Sequence, residues 1–100
     1  MQIHLKKTNV KISAADEADI NKKILGLLKY YNGIIEAFCE VGRSTEHHQK
    51  GRVFRAELDL RVPGKVLRAE ESAENVMTAF RHMMDVMIRE LIKYKDTRSS

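Results

Sequence analysis

The sequence predicts an α+β domain of order β-α-β-β-β-α, a four-stranded sheet with two helices packed on one face. Two kinds of periodicity predict it: four short segments alternate polar and apolar residues, and two longer ones repeat apolar residues at helical spacing. Turn and capping residues fall between the segments. At 100 residues and 43% hydrophobic content, the chain can build one core and no second domain.

Residues 2–8 alternate through Ile3 and Leu5, which suits a short half-buried strand. Ser13 then opens a helix: its hydroxyl can cap free backbone amides while Asp16 reaches back in a capping box. Asp16, Glu17 and Asp19 suit the positive end of the helix dipole. Ile20, Ile24, Leu27, Leu28 and Tyr31 form the apolar stripe, with Lys22 and Lys29 near the opposite pole and Lys23 on a flank. Asn32-Gly33 is expected to stop this helix through a residue at positive φ.

Ile35, Ala37, Cys39 and Val41 alternate with Glu36, Phe38 and Glu40, predicting a second strand that ends at Gly42. A polar loop, 43–51, follows. The clearest alternation comes next, Phe54, Ala56, Leu58, Leu60 and Val62 against Arg55, Glu57, Asp59 and Arg61. It marks a sheet with one packed and one solvated face. Pro63-Gly64 supplies a turn into a fourth strand over 66–72. Residues 72–75 offer caps for a last helix, whose stripe is Val76, Met77, Phe80, Met83, Met84, Met87, Ile88 and Leu91, opposite Thr78, His82, Asp85, Arg89 and Lys93. At that spacing the methionines read as core.

Eighteen Lys and Arg against 14 Asp and Glu give a formal net charge of +4, a mild bias toward polyanions. Each half of the chain carries +2 (8 basic against 6 acidic residues, then 10 against 8), so folding must assemble any basic patch. With both helices on one face, their polar backs would lie side by side and gather Lys22, Lys23, Lys29, Arg89, Lys93 and Lys95. Glu36, Glu40, Glu57, Asp59 and Glu70 alternate with arginines on the solvated sheet face, and cross-strand ion pairing accounts for them.

Catalytic patterns are missing: there is no nucleophile motif, and glycines at 26, 33, 42, 51 and 64 form no phosphate-cradling loop. His47 and His48 are adjacent on a loop, a spacing that rarely converges on one ion, so neither metal nor cofactor is expected. Cys39, the single cysteine, sits in an alternating strand and reads as a buried spectator thiol. No apolar run approaches the roughly 18 residues needed to span a membrane, and the first residues lack a signal-type apolar region, so a cytoplasmic, soluble protein is expected.

The stretch Val66-Leu-Arg-Ala-Glu-Glu-Ser-Ala-Glu-Asn-Val-Met-Thr-Ala-Phe80, the spaced Asp85, Arg89 and Leu91, and the ending Lys93-Tyr-Lys-Asp96 resemble the ribosome hibernation-promoting factors, also called ribosomal subunit interface or sigma modulation proteins. Lys23-Ile24 with Lys29-Tyr-Tyr-Asn-Gly-Ile-Ile35 resembles the first helix and second strand of that family. The resemblance covers the chain from Ile3 to Asp96. It implies a single ribosome-binding domain over 1–96 with a short tail at 97–100, of the short type without a built-in dimerisation domain. It further implies a non-enzymatic factor that binds the small ribosomal subunit, contacts its 16S-type rRNA, and occludes the mRNA and tRNA path. Position by position, Lys23, Lys29, Arg89, Lys93 and Lys95 match basic positions of the family pattern, and the helix wheel adds Lys22 and Arg81 as rRNA-binding candidates. Gly26, Val86 and Ile92 stand where the family commonly carries a basic residue, and Leu28 and Ile88 where it often carries glutamate. That departure supports an alternative, a protein-interaction module using exposed Val86 and Ile92 on the last helix.

Overall fold

The computed structural model describes residues 1–44 and 53–99. Its elements run in the expected order: β1 (Gln2–Thr8), α1 (Ala14–Leu25), a 3₁₀ turn (Gly26–Lys29), β2 (Glu36–Arg43), β3 (Phe54–Val62), β4 (Lys65–Ala73) and α2 (Val76–Ser99). The four strands lie in sequence order, with β1 parallel to β2 and the other pairs antiparallel. A parallel neighbour requires a crossover, and α1 supplies it.

Alternation on the strands sets what each face meets. Ala37, Cys39 and Val41 of β2, Ala56, Leu58, Leu60 and Val62 of β3, and Leu67, Ala69 and Ala73 of β4 are buried beneath the helices. The register places Glu36 opposite Arg61 and Asp59 opposite Arg68, so the other face carries cross-strand ion pairs. Arg55 bonds Glu57 at 2.6 Å and Glu70 at 2.7 Å, and this hydrogen bond holds the Glu70 carboxyl below its ordinary range. In the same face His4 stacks on Phe38, ring centroids 4.6 Å apart.

Both helix starts are capped by side chains: Ser13 Oγ accepts from the Asp16 amide at 3.0 Å, and Asn75 Oδ1 from the Thr78 amide at 2.8 Å. Ile20 and Ile24 of α1 are fully buried, as are Phe80, Met83, Met87 and Leu91 of α2, so the methionines are core. Tyr94 is buried too, and its hydroxyl donates to the Pro63 carbonyl at 2.6 Å, tying α2 to the β3–β4 turn. Arg98 stacks over the Tyr94 ring at 5.5 Å, and α2 continues to Ser99.

Three local expectations are corrected. The α-helix stops at Leu25, and Gly26 caps it in ordinary right-handed geometry (φ −62°) before the 3₁₀ turn, well ahead of Asn32-Gly33. Gly33 does not take a positive φ, which among the described residues belongs to Asn9 and Gly64. Its smallness has a steric cause instead: a Cβ there would fall 2.7 Å from the Tyr31 ring. Finally, Ile34 is the buried member of the Ile34-Ile35 pair and Ile35 is 44% exposed, because β2 begins one residue later than the alternation suggested. The loop containing His47 and His48 lies outside the described residues.

Two glycines make opposite predictions. A Cβ on Gly42 would collide with the Thr8 carbonyl of the paired strand, whereas one on Gly26 meets nothing within 4 Å. Urea unfolding should therefore show Gly42→Ala destabilised by about 1–3 kcal/mol, and Gly26→Ala unchanged or stabilised by up to about 1 kcal/mol.

Candidate nucleic-acid interface

Because both helices cover the same sheet face, α1 and α2 meet along their sides and leave a groove of about 550 Å³ between them. Lys22, Lys23 and Arg81 line it, as does Lys29, the last residue of the 3₁₀ turn. Its apolar lining is Leu27, Met84 and Ile88, the edges of the two core stripes. Asp19 and Asp85 also line it, one from each helix.

The cations differ in freedom. Lys23 Nζ lies 2.8 Å from both carboxylate oxygens of Asp19, an i,i+4 pair that neutralises part of its field. Among the described residues Arg81 reaches only a weak 3.4 Å contact with Thr78 Oγ1. The Lys29 ammonium sits 5.3 Å from the centroid of the Tyr30 ring, a cation–π contact between two residues that line the groove. A second hollow, of about 480 Å³, shares Lys29 and Tyr30 with the groove and adds Lys95 and Arg98 beside Tyr31.

Among the sequence candidates, Lys22, Lys23, Lys29 and Arg81 thus share one groove, and Lys95 lines the hollow next to it. Arg89 and Lys93 line neither; both are exposed on α2. At 100° per residue they lie on the side of α2 turned away from the sheet. Sequence reasoning missed Arg98, whose signal was its i,i+4 spacing from Tyr94, and the entry of Asp19 and Asp85 into the groove, which depends on how the helices dock. Val86 is corrected: it is half-buried and packs on the core, so only Ile92, at 43% exposure, remains as an exposed apolar residue of that pair.

A family model described as sigma 54 modulation protein / S30EA ribosomal protein matches residues 3–99. The chain belongs to this family. The S30EA family comprises non-enzymatic, ribosome-associated factors, so the surface of interest is one that binds. The N-terminal domain of Protein Y from Thermus thermophilus has a similar fold, with a TM-score of 0.78 at 24% identity over 94% of this chain and 99% of that one. A ribosomal subunit interface protein from Coxiella burnetii superposes with a TM-score of 0.81 at 19% identity, over 96% of this chain and 99% of the other. Comparison with curated protein sequences finds no significant match.

Among the described residues no three His, Cys, Asp or Glu side chains are placed to hold a metal ion, and no helix is long and apolar enough to cross a membrane. The Cys39 thiol is buried, and burial first, then Glu40 and Glu57, push its pKa up to about 12. The fold favours the neutral thiol, so this contribution to stability is intact below the ordinary thiol range and is lost as pH rises toward 12. Cys39 should ignore a thiol reagent at pH 8 in the native protein and react fully once urea unfolds it; rapid native labelling would contradict its burial.

Proposed function

We propose that the protein is a cytoplasmic translation inhibitor that binds the small ribosomal subunit through 16S-type rRNA and occludes the mRNA and tRNA path in dormancy or stress. The domain over 1–96 would carry the binding. One observation carries this reading: the two helices bring Lys22, Lys23, Lys29 and Arg81 to one groove, with Lys95 and Arg98 in the adjoining hollow. Arg89 and Lys93 extend the cationic surface over the back of α2. Such side chains suit phosphate contacts, which supply affinity and register with little sequence information. Family membership supports the ribosome as the source of that RNA. Occlusion suits a non-enzymatic factor, since placing folded mass in a channel needs no chemistry.

Co-sedimentation with small subunits across a salt series tests the proposal. If about four phosphates are neutralised, affinity should fall on the order of a hundredfold between roughly 50 and 200 mM salt. Lys22→Ala and Lys29→Ala should each lower the logarithmic salt slope by about 0.7–0.9. No binding at low salt overturns the reading.

Protein docking through α2 has less support, because Val86 packs on the core and leaves Ile92 without that exposed neighbour. Ile92→Lys distinguishes the two. Subunit binding should be unchanged or up to severalfold tighter from the added charge, whereas its loss would favour an apolar protein contact.

A further inference from the structure

We infer that the groove between α1 and α2 admits an unpaired nucleobase bearing an exocyclic amine, with the flanking phosphates on its cationic rim. The inference rests on the RNA-binding reading above and makes its ligand specific. Phosphate contacts alone need only cations on an open surface. This groove instead has an apolar lining of Leu27, Met84 and Ile88, and its volume of about 550 Å³ falls in the range of pockets that take small molecules. Bases within a duplex cannot enter such a site, so the occupant is single-stranded; unstacked bases are the parts of RNA that proteins splay out and bury.

Asp85 sharpens the assignment. It lines the groove, it is exposed, and it has no salt bridge among the described residues. A carboxylate in a purely phosphate-binding groove opposes its ligand. Facing a base, the same group accepts hydrogen bonds from the amino group of cytosine, adenine or guanine, and finds no amino group on uracil. Asp19 is less available, because Lys23 holds both of its oxygens. Gly26 lines the groove as well, and a Cβ there meets nothing within 4 Å, so a side chain introduced at 26 has open space to occupy without disturbing the core.

The test compares three oligomers of equal charge at low salt: hexacytidylate, hexauridylate and an abasic ribose-phosphate hexamer. Hexacytidylate should bind about fivefold to tenfold tighter than hexauridylate and at least tenfold tighter than the abasic chain. Asp85→Ala, which removes the acceptor, should erase the preference for cytidine over uridine. Gly26→Leu, which places an apolar side chain where a base would enter and keeps every charge, should bring the base-bearing oligomers toward the abasic level and weaken small-subunit binding. Equal affinity for the abasic hexamer, or Asp85→Ala tightening all three alike, overturns the inference. Small-subunit binding that survives Gly26→Leu unchanged sinks this inference alone, whereas wild-type protein that binds neither subunits nor any oligomer defeats the RNA-binding reading itself.

Discussion

Only one face of the four-stranded sheet is apolar, and everything else about this molecule follows from that constraint. The opposite face is committed to ion pairs, Arg55 with Glu57 and Glu70, Arg61 with Glu36, Arg68 with Asp59, so neither helix can be accommodated there. Both must share the side built from alanine, leucine, valine and Cys39. Two helices on one short sheet have to lie alongside each other, and the groove between them is the geometric consequence. Its lining is the margin of the two core stripes and its rim is the flank of the two polar backs.

One buried side chain ties three parts of the fold together. Tyr94 fills space between α2 and the sheet, meets Tyr31 edge to face at 5.3 Å, and donates its hydroxyl to the carbonyl of Pro63. A buried phenol needs such a partner. Through this one side chain, the region after α1, the β3–β4 turn and α2 are held in register, and the hollow containing Lys29, Lys95 and Arg98 takes its shape beside it. At the other end of the crossover, Gly42 lets β2 approach the Thr8 backbone closely enough for the parallel pair to close.

Much of the fold was legible because period two and period 3.6 leave direct traces. Phe54 to Val62 declares its buried face residue by residue, and the methionines of α2 fall on the stripe that their spacing assigns. Legibility ended where tertiary docking decides. Ile34 and Ile35 are chemically alike, and only the start of β2 determines which one is buried. Gly33 carries no sign in the sequence that the Tyr31 ring folds over it. The candidate site divides the same way: helical spacing marked Lys22, Lys29 and Arg81 as outward-facing, while the helix-to-helix contact that brings Asp19 and Asp85 into the groove and leaves Arg89 and Lys93 outside it depends on how two surfaces meet.

The central claim is that the helix side of the molecule, and not the ion-paired sheet face, meets the ribosome. Lysine reactivity measured by mass spectrometry, with and without saturating small subunits, addresses it most directly, because lysines mark both sides. The account predicts that Lys22, Lys29 and Lys95 lose reactivity in the complex while the exposed Lys6, which shares the outer sheet face with His4, keeps its own. Protection of Lys6 with Lys22 and Lys29 still reactive would contradict it.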